Sequence, residues 1–195
     1  MQPRGITGLV LAGGQGRRMG SVDKGLIPLH GRPMVQHVLD RFRPQVDEIL
    51  INANQHRAEY EAFGHPVLAD AISGFAGPLA GLQVGLDRAS FPLIATVPCD
   101  SPFLPADLVT RLADALAERG ADLAVARTFN QPHPVFALVR RSVLPHLTRF
   151  LEDGGRKIDA WYATLSAVEV GFDDEADAFR NINTADELQQ AAGAR

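Results

Sequence analysis

With 195 residues, 46% of them hydrophobic and 22% charged, and a net charge of −4, the chain can build one sizeable core and carries no positive field to draw it onto nucleic acid or an anionic membrane. Its one cysteine, Cys99, excludes an internal disulfide framework and a cysteine-rich metal site, and fits a reducing cytoplasm. No secretory signal or membrane-length apolar run is read, so the expectation is a cytoplasmic protein with a single domain over residues 1–195 and neither nucleic acid nor membrane as partner.

In chain order, Ile6 to Leu11 is an apolar run that reads as a buried strand. It feeds a loop, Leu11-Ala12-Gly13-Gly14-Gln15-Gly16-Arg17-Arg18-Met19-Gly20-Ser21-Val22-Asp23-Lys24. Gly25 to Leu29 is a short apolar stretch ended by His30-Gly31. Pro33 opens a helix with Met34, Val35, Val38, Leu39 and Phe42 at helical spacing, and Pro44 ends it. Glu48 to Ala53 reads as a second strand, Gln55 to Phe63 as a short helix, and Pro66 to Ala69 as a third strand ending at Asp70. A helix from about Leu79 to Arg88 carries Gly81 and Gly85 one turn apart. Glycine costs a helix about 1 kcal/mol relative to alanine, so something comes close on that face, either the sheet or a ligand.

Pro92 to Val97 is the most apolar strand and is expected at the centre of the sheet; Pro98-Cys99-Asp100-Ser101-Pro102 follows it. Pro105 starts an amphipathic helix that Gly120 stops. Ala121 to Arg127 and Val135 to Val139 read as an antiparallel strand pair around a turn, Asn130-Gln131-Pro132-His133-Pro134. Ser142 to Leu151 reads as a helix with Asp153-Gly154-Gly155 as its exit, and a short helix begins near Ile158. Leu165 to Val170 is a late strand. Asn181-Ile182-Asn183 precedes a helix with a capping box over Thr184 to Glu187. Alternating strands and helices imply an α/β fold, a mostly parallel central sheet flanked by helices in three layers with a small antiparallel part. Ligands of such sheets bind beyond the carboxyl ends of the strands. The first loop, Asn52, Asp70 and Asp100 all follow a strand and are expected along one edge.

The first loop has the chemistry of a phosphate holder. Its glycines allow close backbone approach, and arginine and lysine bring charge to phosphate oxygens. It is not a Walker loop, because Lys24 lies between Asp23 and Gly25. The dinucleotide fingerprint also fails: Met19 stands where a third small residue belongs, and Asn52 and Asn54 stand where a ribose-binding carboxylate would. Asp100 at a strand mouth can hold Mg²⁺ with few protein ligands. Asp70 suits a metal, a ribose hydroxyl or a base edge, and Asn52, with donor and acceptor both, suits a base or sugar. No nucleophile is evident. Cys99 reads as a small buried residue; His133, between two prolines, sits on a rigid loop and suits either a ligand-facing or a structural role, with the structural one favoured. Phosphoryl-type transfer needs only positioning and charge stabilisation.

Leu11-Ala12-Gly13-Gly14, Arg18-Met19-Gly20, Val22-Asp23-Lys24-Gly25, Asn52-Ala53-Asn54, Gly77-Pro78-Leu79-Ala80-Gly81, Pro98-Cys99-Asp100, His133-Pro134 and Asn181-Ile182-Asn183-Thr184 together resemble the molybdenum cofactor guanylyltransferases, over the whole chain. Ser21 stands where that family often has glycine. The resemblance implies a nucleotide-diphospho-sugar-transferase-like fold and transfer of GMP from GTP to molybdopterin, with release of pyrophosphate. It implies GTP contacts through Leu11, Ala12, Gly13 and Gly14, and through Lys24, Asn52, Asp70 and Asp100, with Mg²⁺ on Asp100. Arg18 would steady the leaving phosphates, and Gly77, Gly81, Asn181 and Asn183 would lie on the molybdopterin side. Transient contact with molybdopterin-delivering and molybdoenzyme-maturation proteins is also implied.

Two other classes stay open on sequence. A cytidylyltransferase acting on molybdopterin, or a nucleotidyltransferase acting on a sugar phosphate, would keep the same loop, since spacing does not read the base. A nucleotide-binding regulatory module would bind without turnover, but binding alone does not require Lys24 and Asp100 together. An oxidoreductase with a dinucleotide cofactor is disfavoured by Met19 and the missing ribose carboxylate.

Overall fold

The structure, a computed structural model, describes residues 5–13, 23–72, 77–182 and 187–189. Strand β1 (Ile6–Leu11) comes first, and a 3-10 turn over Lys24–Leu26 precedes a hairpin of β2 (Pro28–Leu29) and β3 (Arg32–Pro33). His30 and Gly31 both have positive φ (50° and 76°), the combination a two-residue hairpin turn demands. Helix α1 (Met34–Phe42), β4 (Glu48–Asn52), α2 (Arg57–Glu61), β5 (Val67–Leu68), α3 (Pro78–Arg88) and β6 (Leu93–Pro98) follow. The remainder is α4 (Leu108–Arg119), β7 (Leu123–Thr128), β8 (Gln131–Arg140), α5 (Leu144–Glu152), α6 (Ile158–Tyr162), β9 (Ala167–Gly171) and a 3-10 segment over Asp173–Phe179.

Seven strands form one sheet in the order β5-β4-β1-β6-β8-β7-β9, and β2 and β3 form a separate antiparallel pair. The apolar strand β6 stands in the middle of the seven, as its composition predicts. β8 runs antiparallel to both β6 and β7, and the other pairings are parallel. Side chains alternate across each strand. Ile6, Val10, Ile49, Ile51, Ala95 and Val97 join one core with the buried faces of α1 and α4. Leu9, Leu50 and Ile94 join another with α3, α5 and Trp161 of α6. These two cores make the three layers. Burying a side chain such as Phe42 or Leu82 contributes about 1.5–3 kcal/mol each.

Three expectations need correction. The turn placed over Asn130–Pro134 is confined to Phe129 and Asn130, and β8 runs through both prolines. β6 pairs only with Ala137 to Arg140 of β8, so Pro132 and Pro134 lie where β7 is the sole neighbour, and the ladder shifts register between Val125 and Ala126 to admit them. Helix α2 is shorter than Gln55–Phe63 because His56 sits in the left-handed region (φ 52°). Helix α4 begins at Leu108, three residues after Pro105, and Gly120 closes it at φ 61° as expected. Of the C-terminal helix, 187–189 are helical, while Thr184, Ala185 and Asp186 of the capping box lie outside the described residues.

Candidate active site at the strand ends

Leu11 pairs with Asn52 on one side and with Pro98 on the other, and Asn52 pairs with Leu68. The ends of β1, β4, β5 and β6 are therefore level, and the residues just past them meet along one edge. Two backbone bonds extend this edge: Ala12 N–H donates to Asn52 O (2.8 Å) and Cys99 N–H to Leu11 O (3.1 Å). The Ala12 N–H and the Leu11 carbonyl are thus engaged by the sheet, and the chain leaves it at Gly13. Gly14, Arg18 and Asn183 lie outside the described residues.

Lys24 reaches this edge from the turn that starts the β2–β3 hairpin. Its Nζ stands 3.2 Å from Asp100 Oδ2. The turn is held from below. Asp23 Oδ1 accepts both the Gly25 N–H (3.1 Å) and the hydroxyl of Tyr60 (2.6 Å), a fully buried residue of α2. A Cβ on Gly25 would lie 3.2 Å from Cys99 Cβ and run into the Tyr60 hydroxyl, so only glycine lets the turn settle this deep. Asp100 is 8% exposed. Burial pushes its carboxyl above the ordinary carboxylate range, and the Lys24 ammonium pulls the other way. The Cys99 thiol is buried and pushed up by that burial, in keeping with an inert packing role.

The C-terminal segment closes over the same turn. Ile182 N–H donates to Asp100 O (2.9 Å), the Ser101 hydroxyl donates to Asn181 Oδ1, and Ile182 is buried with Leu29 and Met34. Asn181 therefore stands beside Asp100, joined through Ser101.

On the other side of β1, Asn52 and Asp70 are brought together. Asn52 Nδ2 donates to Leu68 O (3.2 Å) and to Asp70 Oδ1 (2.8 Å). Asn54 Nδ2 donates to Asp70 Oδ2 (2.8 Å) and its Oδ1 accepts the Asp70 N–H (2.8 Å). Gly81 lies against this cluster: a Cβ there would stand 2.7 Å from Asn52 Cγ and from Leu11 Cδ2. The two helix glycines thus admit α3 close to the sheet, Gly81 at Asn52 and Gly85 at Leu9. Gly77 caps α3 at φ 72°, nearer Arg156 than the strand ends. His133 Nε2 is 2.7 Å from Thr128 Oγ1 and its ring stacks on Phe179 at 4.7 Å; burial lowers its pKa.

Sequence reasoning passed over Tyr60, Ser101 and the role of Asn54. For Asn54 a signal existed, since residues 52 and 54 share a face by strand alternation. Tyr60 gave none, lying as it does in a five-residue helix. Asp100 supplies hard oxygen to a divalent cation. Among the described residues no group of three or more His, Cys, Asp or Glu side chains gathers. A cation on Asp100 would then complete its shell with phosphate and water oxygens, which suits a metal-triphosphate complex.

A family model described as the MobA-like NTP transferase domain matches residues 8–168. The chain is 54% identical over 189 residues to a molybdenum cofactor guanylyltransferase of Cupriavidus necator, covering 94% of each. It is also 54% identical to one of Bordetella petrii, covering 95% of this chain and 96% of that one. The crystal structure of molybdopterin-guanine dinucleotide biosynthesis protein A from Archaeoglobus fulgidus superimposes with a TM-score of 0.80 at 26% identity, over 96% of this chain and 97% of that one.

Proposed function

The chain belongs to the family of MobA-like NTP transferase domains, and we propose that it transfers GMP from GTP to molybdopterin, releasing pyrophosphate and forming the guanine dinucleotide cofactor. The observation that carries this reading is the Lys24–Asp100 pair, 3.2 Å apart and largely buried at the end of the central strand. Keeping a lysine and a carboxylate at such a mouth costs desolvation, and a nucleotide triphosphate with its cation makes use of both. Asp100 would hold Mg²⁺, which when bound supplies positive charge to the triphosphate oxygens. Lys24 brings a point charge to the same oxygens, and Arg18 is assigned to the departing pyrophosphate. A phosphate oxygen of molybdopterin forms the new bond to the α-phosphorus of GTP as the bond from that phosphorus to the oxygen bridging to the β-phosphate breaks. No protein nucleophile is required, and Tyr60 and Asp23 hold the Lys24 turn in place while the bond is exchanged. Asn181 and Asn183, with Gly77 and Gly81, are assigned to the molybdopterin side of the edge.

Calorimetric titration with GTP, CTP, ATP and UTP, each with Mg²⁺, tests the assignment. Preference for GTP is the expected result. Preference for CTP would move the protein to the cytidylyl reaction, and failure to bind any of the four would remove the nucleotide-transfer reading.

A further inference from the structure

Resting on the nucleotide-transfer reading, we propose that the tip of the β7–β8 hairpin, where the exposed ring of Phe129 is set among carboxylates, is the docking point for a protein with a basic face that takes the phosphate-bearing product.

Phe129 gives the fold little. Among the described residues it is the one large hydrophobic side chain left exposed, at 61%. It is also the first residue of the two-residue turn between the paired residues Thr128 and Gln131, and its φ is 50°. Glycine or asparagine takes such a position readily, and a bulky residue does not. Neither burial nor turn geometry favours an aromatic ring here. The tip is nonetheless firmly held: Phe129 N–H donates to Asp173 Oδ1 (2.5 Å) and Phe172 N–H to Arg127 O (2.8 Å). A group that is already fixed loses little freedom when a partner covers it. Rigid, exposed aromatic side chains are the anchors that protein interfaces use.

Location and charge identify the kind of partner. β8 runs opposite to β6, and β7 opposite to β8, so the turn lies at the same edge of the sheet as the end of β6. Thr96 pairs with Ala137, which sets Pro98 level with Val135. The hairpin runs on past that level by about five residues, about 15 Å, and stands up beside the edge that carries Lys24 and Asp100. Around the tip, carboxylates face outward. In the Arg111–Asp174 and Arg127–Glu169 pairs the carboxylate is the more exposed partner, and Asp173 and Asp177 are exposed as well. Such a face repels phosphate, so it suits neither nucleic acid nor an anionic membrane. It matches a protein with lysines and arginines around its own mouth, and any protein that holds the dinucleotide product needs such groups for the phosphates. GTP and its acceptor both enter by this edge before transfer, and a docked protein would stand in their way. After transfer the dinucleotide has only to cross to a protein seated on the tip, so the occupant is the recipient of the product.

The experiment runs the transfer reaction of the full-length protein with GTP, Mg²⁺ and molybdopterin in the presence of a purified cofactor-free enzyme that requires the guanine dinucleotide. It records pyrophosphate release, activation of that enzyme against its concentration, and the thermal midpoint of each transferase variant. A parallel arm supplies the isolated dinucleotide in place of the transferase. Wild type is expected to activate at lower enzyme concentrations than the isolated dinucleotide does, and less well as salt is raised. Phe129→Gly raises the half-activating concentration by about tenfold and holds pyrophosphate release to within about twofold of wild type. Its thermal midpoint is no lower than that of wild type, because glycine accepts the turn. Phe129→Asn, which also suits the left-handed region, behaves alike and covers the case in which the glycine variant does not fold. Asp177→Asn weakens activation in the same direction and flattens its salt dependence. The proposal is overturned if wild type activates no better than the isolated dinucleotide, or if both Phe129 variants activate as wild type does. It is also overturned if pyrophosphate release falls in step with activation, which would put Phe129 in the transfer site itself. A wild type that releases no pyrophosphate would instead defeat the nucleotide-transfer reading, which that readout reveals by itself.

Discussion

Asp100 is more costly to the fold than it is useful to it, and that imbalance makes it testable. Burial raises its pKa, so the native state binds its proton more readily than the unfolded chain does. The linkage sign is then fixed: stability declines as pH rises from the ordinary carboxylate value through the raised one. Asp100→Asn removes that cost while removing the proposed cation ligand. We expect turnover to fall by at least about a hundredfold with a thermal midpoint at pH 7 no lower than wild type, read by calorimetry on the same preparation. A midpoint that collapses along with activity would make Asp100 a structural residue. Lys24 opposes the shift, so a carboxyl NMR titration of Asp100 is expected to move to higher pH in Lys24→Ala; an unchanged or lower midpoint would mean that the 3.2 Å pair does not govern the carboxylate. Tyr60 acts at one remove. Tyr60→Phe deletes the 2.6 Å bond to Asp23 at a stability cost of about 1–2 kcal/mol, and kcat should drop more than KM changes, since the turn carrying Lys24 loosens.

Among the elements, α3 is the one whose position the site depends on most. Its Gly81 lies where a methyl group would stand 2.7 Å from Asn52 Cγ. Alanine is favoured over glycine in a helix by about 1 kcal/mol, yet Gly81→Ala is expected to destabilise by about 1–3 kcal/mol through overpacking, a fall of several degrees in the thermal midpoint, and to weaken GTP binding because Asn52 must shift. An unchanged or raised midpoint would show that α3 is not tightly seated there. The same packing explains what could be read in advance. Asn52, Asp70 and Asp100 are legible because each ends an apolar strand, and strand ends in a parallel sheet converge. The close approach at Gly81 and Gly85 is legible as two glycines one turn apart, though not what fills it. The Pro132–Pro134 segment is misread because proline argues against a strand only where neighbours flank it on both sides, and the missing neighbour is a tertiary fact. Tyr60 is illegible for a similar reason: one buried side chain on a five-residue helix makes no periodic pattern, and its bond to Asp23 spans 37 positions.

At the scale of the molecule, two cores clamp one sheet, and the site occupies the edge where four strand ends and the C-terminal segment meet. Among the described residues no helix is long and apolar enough to cross a membrane. The fold also carries a pH signature in two histidines. Burial lowers the pKa of His133 and of His65, so both favour the neutral form when folded. Stability should be full above the unfolded histidine value of about 6.5 and decline as pH falls below it. Urea unfolding midpoints at pH 7.5 and pH 5.5 measure this; His133→Gln should reduce the difference, and an equal difference would exclude His133 as a contributor. The proposed transfer of a guanylyl group at the Lys24–Asp100 edge is open to direct test. The most direct measurement incubates the purified protein with GTP, Mg²⁺ and molybdopterin, follows pyrophosphate release and weighs the product by mass spectrometry. The expected result is pyrophosphate and a product heavier than molybdopterin by one linked GMP, with CTP a poor substitute and the Asp100→Asn protein inactive. Pyrophosphate formed equally well by Asp100→Asn, or a product carrying CMP in preference to GMP, would contradict it.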